Sequence, residues 1–229
     1  MPPIVNTLSW CEYSSICPLL TLSSLIMPSR KKDPQASLRI AVRAGHLSTV
    51  KKLLSADNTA VDQQDNDGWS SLHIAASKGL HEVARALLSA GACADLQDKE
   101  GCAALHVACI MGHVELAQTL LSAGASVDLL DKKGRSPLHV ACHEGFLQLA
   151  LALISAGATV DLQDKEGRTP LFTACMGGHT GVASALLSAG AGVDNRDAWG
   201  CSPLHAACER GHLQVVHVLL SAGAPGDLR

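Results

Sequence analysis

Apolar residues recur at helical spacing along most of the chain, in short segments that end at glycine. In one such segment, Leu116, Leu120 and Leu121 fall on the same face of a helix. The segment runs into Ser-Ala-Gly-Ala, where glycine supplies the left-handed conformation that ends many helices. The pattern predicts pairs of short helices from about Gln35 onward.

These helix pairs repeat with a constant period. Glycines at one turn position mark a spacing of 33 residues: Gly68, Gly101, Gly134, Gly167 and Gly200. Six copies fit, at about 35–66, 67–99, 100–132, 133–165, 166–198 and 199–229. The first copy is divergent and has one extra residue, since Gly45 and Gly79 are 34 positions apart. Because neither helix of a copy can bury its apolar face alone, we predict that the copies stack around a shared core.

Each copy opens with a turn signal followed by a helix-start signal. Asp-x-x-Gly, as in Asp131 to Gly134, is typical of a turn, because aspartate accepts backbone hydrogen bonds and glycine tolerates a positive φ. A hydroxyl residue then precedes proline, as at Ser136-Pro137, and can cap a helix whose first residue is that proline. In the third copy Ala103 replaces the hydroxyl residue, which removes a cap worth about 1 kcal/mol.

The run Ser136-Pro137-Leu138-His139-Val140-Ala141 and its copies resemble the T-P-L-H-x-A motif of the ankyrin-repeat family. The resemblance implies an all-α solenoid of stacked helix–turn–helix repeats, residues 34–229, with β-hairpin-like fingers projecting from one edge. It also implies that the motif histidine links neighbouring turns by hydrogen bonds. Four copies carry this histidine and the fifth has Phe172 instead: His73, His106, His139 and His205.

Histidine and cysteine cluster at His139, Cys142 and His143, which could suggest a zinc site or a nucleophile. The cysteine of this cluster recurs every 33 residues, however, at Cys109, Cys142, Cys175 and Cys208, and packing positions recur in this way whereas reactive sites rarely do. Stacked helices about 8–10 Å apart also hold such cysteines too far apart for disulfides. We therefore predict no catalytic residue, no metal site, no cofactor and no enzymatic activity.

Composition bears on the kind of partner and on the cellular compartment. The formal net charge is −3 and the sequence pI is about 6.4, which does not suggest a nucleic-acid partner. Nine cysteines, four of them in repeated helical positions, do not form a disulfide framework and favour a reducing compartment. We expect a cytoplasmic protein, with the nucleus left open. Cys93, Cys102 and Cys201 fall in predicted loops or fingers and are expected to be exposed thiols.

The first 33 residues differ from the repeats and are interpreted as a disordered N-terminal tail. Their apolar run, Ile16 to Met27, is interrupted by Pro18 and is shorter than the roughly 20 residues of a membrane span. A membrane-tethered scaffold that uses residues 1–29, with acylation of Cys11 or Cys17, remains an alternative, as does a cleaved signal. We expect residues 1–26 to be dispensable for folding.

The resemblance implies protein binding along a concave strip formed by the fingers and the ends of the first helices. Within it, tryptophan is frequent at binding hot spots, and Arg135 and Arg168 suit acidic groups. The alternative is that each tryptophan packs on an adjacent finger. The predicted protein-binding residues are Trp69, Lys78, Ile110, Met111, Arg135, Arg168, Met176, Trp199 and Arg210.

These patterns together predict a non-catalytic protein–protein interaction scaffold. The alternative is an adaptor that recruits a target to a regulatory complex such as a ubiquitin ligase, although no recruiting box is expected after the sixth copy. The last helix is no more polar than the internal ones, so we expect an uncapped end to the stack. That expectation leaves open a fragment, a short isoform, or end-to-end association.

Overall fold

The computed structural model describes residues 34–56 and 60–226, and this part of the chain is entirely helical apart from turns and loops. Twelve helices form six pairs in these ranges, and the predicted all-α stack is confirmed. In chain order they are α1 Pro34–Arg43, α2 Leu47–Leu54, α3 Ser71–Ser77, α4 His81–Ser89, α5 Ala104–Met111, α6 Val114–Ser122, α7 Pro137–Glu144, α8 Leu147–Ser155, α9 Pro170–Gly177, α10 Thr180–Ser188, α11 Pro203–Glu209 and α12 Leu213–Ser221.

The prediction that residues 1–33 form a disordered tail lies outside the described residues, as do the membrane-tether alternative and the expectation for residues 1–26. Among the residues that are described, every helix is too short or too polar to cross a bilayer.

The predicted helix-start signals are realised in the backbone. The Ser136 hydroxyl accepts a hydrogen bond from the backbone N–H of His139, and the corresponding hydroxyls cap three further first helices: Ser70, Thr169 and Ser202. Helix α7 ends at Gly145, whose φ of 76° lies in the left-handed region. Helix α5 follows Ala103 and has no side-chain cap, as the sequence predicted.

The missing cap of α5 allows a test of how much the helix caps contribute to stability. Ala103→Ser is expected to raise the free energy of unfolding by about 1 kcal/mol, because the new hydroxyl would accept the His106 N–H as Ser136 accepts that of His139. Urea denaturation of the intact chain measures the change. The matched control is Ser136→Ala, which should lower stability by a similar amount. No gain from Ala103→Ser beside a clear loss from Ser136→Ala would contradict the account.

The core is continuous from copy to copy. Each first helix packs against the first helix of the next copy, and each second helix packs against the next second helix. Leucines at one position of the first helix are almost fully buried in every complete copy: Leu72, Leu105, Leu138, Leu171 and Leu204. Small residues such as Ala141 and Cys142, both fully buried, let neighbouring first helices approach closely.

The two ends of the stack show which way each row of side chains faces. Ile40 is 66% exposed, whereas Ile74 at the equivalent position of the next copy is 3% exposed. Cys208 is exposed although Cys175, its equivalent in the preceding copy, is fully buried. Within the described residues, the Ile74 row is therefore buried by the preceding copy and the Cys175 row by the following copy. Each copy completes its neighbours, as solenoid stability requires.

The fingers are hairpin turns that bond to one another. In the finger between the second and third copies, the backbone N–H of Asp98 donates to the Cys102 carbonyl at 2.9 Å and closes the turn. The N–H of Lys99 donates to the Asp67 carbonyl of the preceding finger at 3.1 Å. Gly68 has a φ of 83°, and a Cβ on it would lie 2.8 Å from the Lys99 nitrogen. Glycine is therefore needed both for the turn and for the close contact between fingers.

Candidate functional site: the fingers and the first-helix ends

In three copies, both ring nitrogens of the motif histidine form hydrogen bonds to the backbone. His139 Nδ1 accepts the backbone N–H of Ser136 at 3.1 Å, and its Nε2 lies 3.0 Å from the Arg168 carbonyl in the next finger. His73 and His106 make the same bridge, to the carbonyls of Cys102 and Arg135 at 2.9 and 3.1 Å. The link between turns that the resemblance implied is confirmed for these three copies. An acceptor at Nδ1 and a donor at Nε2 define a neutral ring.

Burial lowers the pKa of each of these three histidines. Burial lowers the pKa of His139, against the opposing effects of the hydrogen bond to Arg168 and the charge of Asp164. The pKa values of His73 and His106 are lowered for the same first reason. These rings are therefore neutral structural bridges, because their protonation would also remove the Nδ1 acceptor that holds the start of the helix.

The repeated cysteines are buried thiols rather than nucleophiles. Burial, and then the neighbouring cysteines, raises the pKa of Cys142, and burial raises the pKa of Cys175 to about 12. The thiolate is the reactive form, so these groups are inert at neutral pH. In residues 34–56 and 60–226, no group of three or more His, Cys, Asp or Glu side chains is placed to hold a metal ion.

The three loop cysteines do not share one environment. Cys93 is exposed and Cys201 is partly buried, but Cys102 is 1% exposed, so the prediction of an exposed thiol at Cys102 is wrong. The position after the finger glycine faces into the stack. There the Cys102 N–H donates to Asp98 Oδ1 at 2.8 Å, and the Cys102 carbonyl is hydrogen-bonded to His73 Nε2 at 2.9 Å.

The two sides of each finger glycine form different rows. The residues that follow it are buried or partly buried: Trp69, Cys102, Arg135, Arg168 and Cys201. The residues that precede it are at least partly exposed, and four of the five are charged: Asp67, Glu100, Lys133, Glu166 and Trp199. The sequence had suggested one continuous binding strip, whereas the structure separates a row that is buried or partly buried from a row that is at least partly exposed.

Arg135 and Arg168 were expected to meet acidic groups of a partner, and the structure corrects this. Arg135 is 5% exposed, and its Nε and Nη2 lie 2.8 and 2.6 Å from Asp131 Oδ2 of its own finger. Arg168 is 6% exposed and bonds Asp164 in the same way, at 3.1 and 3.0 Å. Both guanidinium groups are therefore held inside the fingers, where they bond the turn aspartates and present little surface to another protein.

The two tryptophans differ for the same reason. Trp69 follows its glycine, is partly buried, and lies with its ring centroid 6.1 Å from that of His73. This arrangement favours the alternative that Trp69 packs within the stack. Trp199 precedes its glycine and is 58% exposed, with its backbone N–H bonded to Asp197 Oδ1 at 3.0 Å. Binding by Trp199 stays a prediction, but its side chain is accessible.

The remaining predicted residues lie at the C-terminal ends of first helices. Ile110 and Met111 end α5 and are partly buried against the core, and Met176 in α9 is partly buried as well. Lys78 and Arg210 follow α3 and α11 and are exposed. A partner here would meet some apolar area flanked by two cations, and that role stays a prediction. We call the residues one and two positions before each finger glycine, together with these helix ends, the finger surface.

Two features of the fingers had not been singled out from the sequence. Lys99, Lys132 and Lys165 stand at one position of three successive fingers, and the 33-residue period was the signal. Leu130 is 41% exposed where three other copies have glutamine, among them Gln97 and Gln163. Those glutamines donate across fingers to the carbonyls of Leu130 and Arg196 at 2.9 and 3.4 Å, and leucine cannot.

The second helix of the last copy exposes large apolar side chains. Leu213 is 70% and Leu220 is 46% exposed on α12. End-to-end association at this helix stays a prediction.

Comparison with known proteins assigns the class. The family model described as ankyrin repeats (3 copies) matches residues 16–98, 38–131, 92–164 and 138–228, and the chain belongs to the ankyrin-repeat family. Ankyrin repeats ordinarily serve protein interaction, and the same role is supported for this chain.

Individual relatives match over short segments. Protein phosphatase 1 regulatory subunit 27 of Mus musculus is 46% identical over 57 residues, which cover 25% of this chain and 36% of that protein. Ankyrin repeat domain-containing protein 49 of Bos taurus is 40% identical over 62 residues, which cover 27% of this chain and 26% of that protein. The aligned part of the chain thus spans well under half the length of these curated relatives.

Proposed function

We propose that the chain is a non-catalytic protein-interaction scaffold that binds its partner on the finger surface. The observation that carries this proposal is Trp199, a large aromatic side chain 58% exposed in a row that is otherwise charged. Exposing tryptophan to water is unfavourable, and tryptophan is enriched at the hot spots of protein interfaces. The neighbouring first-helix ends add Met176 and the cation Arg210.

The chemistry of the rest of the chain supports a role in binding rather than catalysis. The motif histidines and the finger aspartates form hydrogen bonds, and the repeated cysteines Cys109, Cys142 and Cys175 are buried in the core. One relative is named as a regulatory subunit of a phosphatase, which is consistent with binding to an enzyme rather than acting as one. An adaptor that brings a target to a regulatory complex is the second candidate, and this relative is the observation that favours it.

We propose a cytoplasmic location, with the nucleus left open.

Substitution of the exposed tryptophan tests the proposal. Trp199→Ala is expected to weaken the partner complex by more than ~1 kcal/mol, because a hot-spot aromatic would be lost, while leaving the stack folded. The partner recovered by affinity capture with the intact chain is used in calorimetry with each variant.

The matched control is Leu151→Ala, which removes another exposed apolar side chain, but from the second helix α8. Its affinity should equal that of the intact chain. Unchanged affinity for Trp199→Ala, with Leu151→Ala weakened, would move the binding site to the second helices and overturn the proposal.

A further inference from the structure

Three lysines form a regular row along the tips of neighbouring fingers. Lys99, Lys132 and Lys165 each stand two residues before the finger glycine, and all three are exposed. Their backbone N–H groups donate to the carbonyls of the preceding finger, at 3.1, 2.9 and 3.0 Å. The row is therefore mounted on a hydrogen-bonded backbone rather than on independent loops.

Close packing fixes the distance between these fingers. A Cβ on Gly101 would lie 2.7 Å from the Lys132 nitrogen, and one on Gly134 would lie 2.9 Å from the Lys165 nitrogen. The backbones thus touch where each lysine begins, and the lysine positions are preorganised. Binding therefore requires little ordering of the finger backbone, and the ordering cost falls on the lysine side chains.

The spacing of the row selects the conformation of a ligand. Each finger contributes two chain segments, and neighbouring bonded segments lie about 4.8 Å apart, so successive lysines stand roughly 10 Å apart. A polyproline II helix has three residues per turn and a rise of 3.1 Å, so every third side chain shares a face at about 9.3 Å. A β-strand repeats a face every two residues, at about 6.8 Å, and does not match.

Neighbouring charges restrict where an anionic ligand can lie. Glu100 and Glu166 occupy the adjacent row, with Lys133 between them. Glu166 Oε2 lies 2.6 Å from Arg168 Nη1, so this carboxylate is already held by its own finger. An acidic segment displaced from the lysine row would meet Glu100, and like charges in contact oppose such a shift.

The finger beyond Lys165 offers a different group. Ala198 takes the lysine position there, and the exposed Trp199 follows it. Exposed aromatic rings are the surfaces on which polyproline II segments dock proline and other apolar residues. The lysine row therefore ends at Ala198, and the exposed ring of Trp199 stands beside that end, at the equivalent position of Glu100 and Glu166.

We propose that the three fingers that contain Gly101, Gly134 and Gly167 bind an acidic protein segment in the polyproline II conformation. Its carboxylates fall at every third residue and pair with Lys99, Lys132 and Lys165, and an apolar residue at one end contacts Trp199. This inference rests on the proposed function, because it names the chemistry of a partner for the same finger surface.

Two synthetic peptides of identical composition provide the probe. One carries glutamate at every third position, in the sequence Glu-Pro-Ala-Glu-Pro-Ala-Glu-Pro-Ala-Leu, and the other has its three glutamates adjacent. The spaced peptide is expected to bind the intact chain at least about tenfold more tightly at low salt, since each matched surface ion pair contributes up to about fivefold. Its affinity should fall as salt rises. Equal affinities for the two peptides would overturn the proposal.

Variants of the intact chain show where the peptide binds. The triple variant Lys99→Ala/Lys132→Ala/Lys165→Ala should lose the preference for the spaced peptide, while Lys51→Ala/Lys52→Ala, which removes exposed lysines of α2, should keep it. Circular dichroism checks that both remain helical. Retained preference in the triple variant would overturn the proposal, as would equally tight binding of a ten-residue oligothymidylate, which would indicate a nucleic-acid surface.

The failure of this inference is distinguishable from failure of the proposed function. If the peptides bind alike but Trp199→Ala still weakens the captured partner, the acidic segment is wrong and the finger surface stands. If neither effect is seen, both proposals fail.

Discussion

Replacing Asp131 by alanine is expected to lower the free energy of unfolding by about 3–5 kcal/mol. The side chains of Asp131 and Arg135 are 1% and 5% exposed, and the carboxylate also accepts the backbone N–H groups of Lys133 and Arg135 at 2.8 Å. Alanine would leave a buried guanidinium without its carboxylate and two turn N–H groups without their acceptor. Urea denaturation of the intact chain measures the loss.

The chain supplies a matched control one copy earlier. Asp98 accepts the same two backbone N–H groups, but the position of Arg135 is occupied there by Cys102. Asp98→Ala should therefore cost only about 1–3 kcal/mol, the penalty for leaving buried donors unsatisfied. The double variant Asp131→Ala/Arg135→Met should recover part of the loss, because the buried charge is removed as well. Equal losses for Asp131→Ala and Asp98→Ala would show that the ion pair contributes nothing beyond the turn.

Acidification is expected to destabilise the stack in the range where histidine titrates. His73, His106 and His139 have pKa values lowered from 6.5, primarily by burial. Below pH 6.5 the unfolded chain binds protons that the folded chain does not, so stability is greatest above that pH and falls as pH falls. The decline continues until the folded-state pKa values are reached. Its limiting slope is about 1.4 kcal/mol per pH unit for each proton, or about 4 for three.

Urea midpoints between pH 7.5 and pH 5 test this slope. His139→Phe, which copies the residue that the fifth repeat already uses at Phe172, should reduce the slope by the contribution of one proton. A surface substitution such as Lys52→Ala should leave the slope unchanged. Midpoints that do not vary with pH in the intact chain would contradict the assignment of these rings as neutral bridges.

The turns and helix caps of the repeat could be predicted because each depends on residues that are close together in the sequence. Ser136 caps α7 and Gly145 ends it, and each acts on backbone groups within one helical turn. The histidine bridge was implied by the family resemblance, and its second partner, the Arg168 carbonyl 29 residues away, follows from the period. The order of the copies in the stack follows from the sequence as well, because each repeat of a solenoid packs only against the repeats before and after it.

The candidate site was less predictable because it depends on which side of a finger each residue faces. Trp69 and Trp199 look alike in sequence, but one follows its glycine and the other precedes it. Arg135 was misassigned to the exposed side, although the aspartate four residues earlier was a signal that its charge had a local partner. Cys208 repeats a buried position but is exposed, because burial there depends on a following copy.

Lysine footprinting of the complex tests the central claim, that a partner protein occupies the finger surface. The partner recovered with the intact chain would be bound, and the complex and the unbound chain would be acetylated side by side and compared by mass spectrometry. We expect acetylation of Lys78, Lys99, Lys132 and Lys165 to fall in the complex, while Lys51 and Lys52 on the second helix α2 react as before. Protection of Lys51 and Lys52 with unchanged reaction at the finger lysines would contradict the account.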